Sequence, residues 1–355
     1  MRGIGVPARP SLPTRPSRLR RLLTAPIGLL VSAAALWIAL RGVNLGTAAE
    51  QIRQASPGPL VAILGVIAVQ VTLRTVRWRA LLAIADPPVP IRLASLLPIL
   101  LIGYLGNAIL PARLGEPIRA FLAARSERVD PGVALGTVVL ERVLDTASLA
   151  ALAFAAAFAL GAPDWLTQGT GLAAAASVVV VAALLIGGLG LAGRLLEGVE
   201  RRFPAHAIAA GLRFIRFVAA GADAAQERPA AGLALLVSSI CWVLDAVTFW
   251  LVGQSLGLAL SPAVTLLIAA MTVLGTALPS APGYVGTFEL AAVGTATALG
   301  VPASQAFSLA VLAHLMAVAP SALGGAVSLG ASGVGLRSVA SGARSVRPDA
   351  VAMAE

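Results

Sequence analysis

Charged residues occur inside apolar stretches of this sequence, where a charge is costly and therefore informative. Glu141, Arg142 and Asp145 lie within a run rich in valine, leucine and alanine. Helical spacing places Glu141 and Asp145 on one face, with Arg142 three residues before Asp145. A charge at the centre of a spanning helix costs about 2.5–3.5 kcal/mol on insertion scales. We therefore predict that these side chains face the bundle interior or a water-filled cavity, with a purely structural ion cluster as the alternative.

A second charged segment begins at Asn107 and is suited to binding phosphate. Glu116 lies three residues from both Arg113 and Arg119, so it could pair with either arginine. Arginine presents a planar fork of donors that matches phosphate oxygens, and a helix beginning near Pro111 would add backbone N–H donors. We predict that Arg113 and Arg119 hold a phosphate, although a solvated loop with surface ion pairs would show the same pattern.

Three other places carry polar groups at the expected membrane depth. Gly283, Gly286 and Glu289 belong to a segment broken by prolines, and unwound backbone persists in a membrane only where it lines protein or water. Asp245 lies midway through an apolar run, where it could bind substrate or pair with an arginine elsewhere. Arg77, beside a tryptophan, could be a site residue or an interfacial arginine whose head reaches the membrane surface.

The overall composition is that of a protein dissolved in lipid. The 355 residues are 58% hydrophobic and 12% charged, with a mean hydropathy of +0.90, whereas soluble domains are about 45–50% apolar and about 25% charged. One cysteine and two histidines, His206 and His314, are too few for a disulfide scaffold or a structural zinc site. His314 is predicted to be a packed helix residue, with a proton carrier as the alternative. We predict an integral membrane protein without a metal or other cofactor.

The apolar runs predict an all-α polytopic fold. Two of them, Leu93–Leu110 and Pro262–Gly300, are interrupted by glycine and proline, and each could be a re-entrant hairpin or a kinked spanning helix. Six others approach the roughly 20 residues that a crossing needs. The prediction is about six full crossings plus two broken hairpin segments, eight or so in all. The six runs cover approximately residues 22–40, 57–73, 133–160, 169–191, 230–256 and 304–329.

Arginines assign the sides of the membrane. They cluster on both flanks of 93–110, in 194–229 and near both termini, and are absent from 161–168 and 257–261. By the positive-inside rule, both termini are predicted to be cytoplasmic. The net charge of +10 does not indicate nucleic-acid binding, because aromatic residues are only 5% and the arginines follow the apolar runs.

The same distribution predicts the domain organisation. Residues 1–21 form a basic cytoplasmic arm, 22–333 a single transmembrane domain, and 334–355 a cytoplasmic tail. Within the domain, residues 194–229 combine apolar residues at helical spacing with arginines. This pattern predicts an amphipathic helix on the inner membrane surface or a helix packed beneath the bundle.

The order of the motifs resembles the flippase-like transmembrane family of lysylphosphatidylglycerol synthases. The resemblance covers about residues 20 to 335 and implies the handling of modified phospholipids or related lipid-linked molecules. Aminoacyl transfer, which a separate cytosolic domain of bifunctional members performs, is not expected here. Tyr284 stands where relatives often have glycine. The matching segments are Arg74-x-x-Arg77-Trp78, Asn107-x-x-x-Pro111-x-Arg113-x-Gly115-Glu116-x-x-Arg119, Glu141-Arg142-x-x-Asp145 and Pro282-Gly283-x-x-Gly286-x-x-Glu289.

These observations predict a flippase-like lipid translocase of the plasma (inner) membrane. The alternatives are a membrane-embedded transferase acting on a lipid-linked substrate and a non-transporting subunit of a lipid-modifying complex. Because no known catalytic motif occurs, no enzymatic activity and no catalytic residue are predicted. The expected partners are the lipid substrate, the membrane, and either a second copy or a cytosolic lipid-modifying enzyme. The predicted substrate-binding residues are Arg77, Asn107, Arg113, Glu116, Arg119, Glu141, Arg142, Asp145, Asp245, Gly283, Gly286 and Glu289.

Overall fold

A computed structural model describes residues 18–85, 91–110, 113–129, 131–200, 230–278 and 280–332. These residues form helices and connections without any strand, which confirms the all-α prediction. The helices are α1 (Arg18–Ala39), α2 (Leu45–Arg53), α3 (Pro57–Ala85), α4 (Leu93–Ile109), α5 (Gly115–Glu127), α6 (Pro131–Ala159), α7 (Asp164–Glu200), α8 (Ala230–Ser255), α9 (Pro262–Gly275), α10 (Thr287–Ala298) and α11 (Ala303–Ala331), with a 3-10 turn at Pro282–Tyr284.

The described helices are those of a multi-pass membrane protein. Four stretches are long and apolar enough to cross a membrane, namely Pro57–Ala83, Asp164–Ala182, Gly232–Ser255 and Ala303–Ala331. Helix α6 has 29 residues, or about 44 Å at the usual helical rise, but it carries the three charges of the Glu141 motif. The predicted total of eight membrane segments is not confirmed.

The first broken segment folds differently from the prediction. Helix α4 is continuous across Pro98 to Ile109, and the chain has reversed direction where α5 begins at Gly115. Pro98 lies inside this helix, where its ring removes the hydrogen bond that an N–H would donate to the preceding turn, yet the helix continues. Ala123, late in α5, shares a buried cluster with Leu96, early in α4. Helices α4 and α5 therefore form an antiparallel pair, which we call the first hairpin.

The second broken segment is also an antiparallel pair. Helix α9 runs to Gly275, and α10 begins at Thr287, after the 3-10 turn at Pro282–Tyr284, and runs in the opposite direction. Leu299, just after α10, shares a buried cluster with Leu267, near the start of α9. Helices α9 and α10 form the second hairpin, which enters and leaves at one end of the bundle.

The two hairpins open toward opposite ends, and their turns meet inside the bundle. Contacts along α3 show that the two hairpins point in opposite directions. Leu60, at the start of α3, packs in the buried cluster of the second hairpin, and Leu82, near its end, packs in that of the first. At the meeting point, a Cβ on Gly283 would lie 3.3 Å from the Ala108 carbonyl oxygen. Paired broken segments of this kind are a common setting for binding sites in membrane proteins.

This geometry predicts the accessibility of cysteines placed beside each hairpin. In a Cys241→Ala background, Ala83→Cys and Ser126→Cys flank the first hairpin at exposed positions, and Ser261→Cys and Pro302→Cys flank the second. An impermeant thiol reagent added to intact cells should label the latter pair and leave the former unlabelled, as the positive-inside rule requires. Different labelling within either pair would show that its hairpin crosses the membrane.

Several predicted boundaries fall at the limits of the described chain. Helix α1 begins at Arg18, inside the predicted 1–21 arm. Helix α7 continues to Glu200, so the beginning of the predicted 194–229 segment is helical. Residues 201–229 and the predicted 334–355 tail lie outside the described residues.

Candidate functional site: the cavity between the hairpin turns

A network of buried ion pairs joins α3, α5 and α6. On α3, the Arg77 Nε and Nη2 atoms donate to Glu141 Oε1 at 3.2 and 3.1 Å. Arg77 also donates to both carboxylate oxygens of Asp145 and, at 2.6 Å, to the Ser238 hydroxyl of α8. We call Arg77, Glu116, Arg119, Glu141, Arg142 and Asp145 the ion network.

The first hairpin contributes the other half of the ion network. Arg119 Nε donates to Glu116 Oε2 at 2.8 Å, and Arg119 Nη2 donates to Glu141 Oε2 at 2.5 Å. Arg142 Nη2 donates to Glu116 Oε1 at 2.6 Å. The network thus balances three arginines with three carboxylates, which removes most of the cost of burying them. For Glu141 and Asp145 this arrangement matches the alternative prediction of a structural ion cluster.

Close packing within the first hairpin positions these groups. Gly115, at the start of α5, lies so near α4 that a Cβ there would overlap the Gly103 carbonyl oxygen and approach Asn107 Oδ1 to 2.6 Å. Arg119 is then directed toward α6, with its guanidinium 4.8 Å from the Trp78 ring centroid. Glycine is required at position 115 because any side chain would separate the two helices.

A cavity of about 240 Å³ lies between the two hairpin turns, beside the ion network. Arg74 and Asp245 face one another on its wall and form an ion pair of 3.1 Å. Arg142 is the network arginine that reaches the cavity, and its side chain keeps a third of its surface exposed. The polar lining consists of Gln70, Arg74, Tyr104, Asn107, Arg113, Glu116, Arg142, Asp245, Thr248, Thr276, Tyr284 and Ser321.

Arg113 differs from the other two cavity arginines because no described carboxylate lies within 4.0 Å of it. Its Nη2 atom donates to the carbonyl and hydroxyl oxygens of Thr276, both at 3.0 Å. The Tyr284 ring lies 5.3 Å from its guanidinium carbon, in the range of a cation–π contact. Within the described chain, its Nε and Nη1 atoms have no hydrogen-bond partner. An uncompensated guanidinium on a cavity wall is suited to an anion.

The structure separates the predicted site residues into three groups. Asn107, Arg113, Glu116, Arg142 and Asp245 line the cavity. The other members of the ion network lie behind its wall. The turn of the second hairpin holds the remaining predicted residues, Gly283, Gly286 and Glu289.

Arg113 and Arg119 do not meet at one site, contrary to the geometry predicted for a shared phosphate. Helix α5 is regular from Gly115 onward, so Arg119 points into the ion network and is bound by Glu116 and Glu141. Arg113 precedes the helix with a φ of 52° and reaches across to α9. Of these two arginines, only Arg113 lines the cavity.

Sequence reasoning assigned no cavity role to Arg74, Thr276 or Tyr284. Arg74 was visible as an arginine in the apolar run of α3, and the possibility that Asp245 pairs with an arginine pointed to such a partner. Thr276 gave no signal, because its contribution depends on the meeting of the two turns. Tyr284 has a φ of 62°, in the left-handed region that favours glycine.

Comparison with known proteins identifies the membrane domain. Residues 26–325 match the family described as the lysylphosphatidylglycerol synthase transmembrane region. The chain belongs to this family. The resemblance predicted from the motifs is thereby confirmed. Membership of this family indicates a lipid-related function in the membrane. No solved structure matches the chain.

A relative corrects the prediction that the protein is not an enzyme. Glycosyltransferase AglD of Haloferax volcanii is 27% identical over 351 residues, which cover 90% of this chain and 56% of that protein. The chain thus spans little more than half the length of this relative. Because a protein that aligns with nearly the whole chain is named as a transferase, the prediction of no enzymatic activity is wrong. The transferase alternative is favoured over the predicted translocase.

Proposed function

We propose that this protein is the membrane-embedded part of a transferase and that it binds the phosphate-bearing headgroup of a lipid-linked substrate in the cavity. The observation that carries the proposal is Arg113, whose charge has no carboxylate partner in the described chain. Lipid substrates bring a phosphate to membrane depth, and a guanidinium at that depth provides the complementary charge.

The remaining lining supports binding of a polar headgroup. Arg142 lies on the cavity wall with its charge partly used by Glu116. Asn107 also lines the cavity, and its amide donates to Glu116 Oε1 at 3.4 Å. The apolar part of the lining includes Ile67, Val71 and Val273. This mixture of a few polar groups with apolar walls is typical of small-molecule sites.

The ion network acts as the rigid support of this site. It joins α3, α5 and α6 through buried pairs, and Glu116 and Arg142 extend from it to the cavity. Charged groups held by several partners keep their positions when a ligand enters. Arg77, Arg119, Glu141 and Asp145 thereby contribute to binding through positioning.

The cavity also restricts which carboxylates could transfer a proton during the reaction. A general base must reach the reacting group, directly or through one water. Glu116 and Asp245 line the cavity, whereas both carboxylates of the Glu141 motif are buried behind its wall. Proton transfer to or from a bound substrate is therefore assigned to Glu116 or Asp245.

The proposal is tested by comparing lipid extracts of cells that produce the wild type, Arg113→Gln or Arg125→Gln. Arg125 is an exposed arginine late in α5 and serves as the matched control. Loss of a charge-assisted contact of about 1.5–3 kcal/mol predicts a roughly tenfold to hundredfold loss of the lipid product in Arg113→Gln, with the control unchanged. Mass spectrometry measures total product, and an impermeant reagent measures its leaflet. An unchanged total with an altered leaflet distribution would contradict the transferase proposal and support translocation.

A further inference from the structure

A buried glutamate–histidine pair lies beside the turn of the second hairpin and does not line the cavity. His314 of α11 places Nδ1 2.5 Å from Glu289 Oε1 and Nε2 2.7 Å from the Gly283 carbonyl oxygen. The second carboxylate oxygen of Glu289 accepts the Gly286 N–H at 2.6 Å. Both side chains are buried, and neither the ion network nor the cavity uses them.

These contacts determine how many protons the pair holds. A carbonyl oxygen only accepts, so His314 Nε2 must carry a proton. His314 Nδ1 and Glu289 Oε1 would otherwise face each other with lone pairs, so their contact requires a second proton between them. The pair is then neutral overall, whether this proton resides on the histidine or on the glutamate. The shared proton belongs to the two side chains as a unit.

The same contacts hold a strained turn in place. Gly283, Tyr284 and Gly286 have φ angles of 70°, 62° and 92°, and a non-glycine residue such as Tyr284 is strained in this left-handed region. His314 binds one end of this turn and Glu289 the other. Between them, Tyr284 contacts Arg113. The position of Arg113 therefore depends on the protons that Glu289 and His314 hold.

Among the residues that the structure describes, this pair has no other charged partner at contact distance. Phe288 stacks on the His314 ring with centroids 4.2 Å apart, and Phe249 of α8 stacks on Phe288. Helix α1 contributes the Ser32 hydroxyl, which accepts the Ala281 N–H at 2.7 Å. The titratable or charged groups that face the turn from the other elements do so across the cavity; they are Arg74, Tyr104, Arg113, Glu116, Arg142 and Asp245.

We propose that Glu289 and His314 form a proton-binding site that holds the second hairpin turn against Arg113. With the shared proton bound, both ends of the turn are fixed and Tyr284 packs on the guanidinium. When rising pH removes that proton, the two lone pairs repel at 2.5 Å and the contact opens. The turn then relaxes and Tyr284 leaves Arg113. This inference concerns the protein alone and does not require the proposed lipid substrate.

The chain is well suited to a direct test because it has two histidines and two tyrosines. Full-length protein with ¹⁵N-histidine and ¹³C-tyrosine is placed in lipid nanodiscs, and His206→Gln and Tyr104→Phe assign the signals. As the pH rises from about 5 to about 9, the His314 Nδ1 signal should change as the proton shared with Glu289 is lost. The Tyr284 signal should move over the same pH range. A His314 Nδ1 signal that stays constant, or a Tyr284 signal that does not follow it, would overturn the proposal.

Glu289→Gln separates the proton from the contact. Its amide N–H can donate to His314 Nδ1 while its carbonyl accepts the Gly286 N–H, so the turn is held without a shared proton. The Tyr284 signal should then keep its low-pH position at every pH, whereas Glu289→Ala should show the high-pH position throughout. Size-exclusion chromatography checks that both variants fold. A Tyr284 signal that still titrates in Glu289→Gln would assign the movement to another group.

Discussion

Replacing Glu141 with glutamine is expected to destabilise the protein by roughly 3–5 kcal/mol, the usual effect of removing one partner from a buried ion pair. Glu141 accepts hydrogen bonds from Arg77 through one oxygen and from Arg119 through the other, and its side chain is 1% exposed. A glutamine retains one acceptor oxygen but places an amide N–H against a guanidinium. The positive charges of Arg77 and Arg119 are then no longer balanced by the carboxylates around them.

Thermal unfolding of purified protein in detergent measures this effect against a matched control. Glu50→Gln makes the same change in an exposed pair with Arg53 on α2 and should leave the unfolding temperature unchanged, because exposed ion pairs contribute little. The double variant Arg119→Gln/Glu141→Gln removes one charge of each sign and should recover part of the lost stability. Equal stability of Glu141→Gln and the wild type would show that the ion network does not support the fold.

The sequence was sufficient to predict the fold class and the interior position of the Glu141 motif. Both conclusions follow from local rules, namely the cost of polar groups in lipid and the periodicity of a helix. The spacing allowed Glu116 to pair with Arg113 or Arg119, and it pairs with Arg119 at 2.8 Å. Such pairs are three residues apart on one helix, so the chain's local geometry determines them.

The contacts that could not be predicted from the sequence join residues that are distant along the chain. Arg74 and Asp245 are 171 residues apart, and Arg113 and Thr276 are 163 apart. Nothing in the spacing of either residue indicates which helix faces which. The break predicted inside Leu93–Leu110 was misplaced for a related reason. Gly103 and Gly106 permit close approach of α5 to a continuous helix, whereas in the sequence they resemble helix breakers.

Exchanging Arg113 for lysine should reduce the binding of a lipid-linked phosphate by about tenfold, the effect of losing one hydrogen bond of about 1–1.5 kcal/mol. Arg113 uses Nη2 to bind both oxygens of Thr276. The guanidinium therefore has Nε and Nη1 to offer a ligand while its position stays fixed. A lysine ammonium has three donors at a single nitrogen and lacks the planar fork. It cannot hold Thr276 and also direct donors to a phosphate from the separate positions that Nε and Nη1 occupy in the guanidinium.

Arg119→Lys is the informative comparison, because it makes the same exchange in the ion network. The planar fork of Arg119 binds Glu116 and Glu141. A lysine at position 119 should therefore lower the unfolding temperature more than Arg113→Lys does. Binding is measured with phosphate-bearing lipid in nanodiscs containing each folded variant. The cavity assignment requires that Arg113→Lys lose affinity at nearly unchanged stability and that Arg119→Lys show the opposite pattern. The reverse result would place the phosphate in the ion network and reduce Arg113 to a contact between the two hairpins.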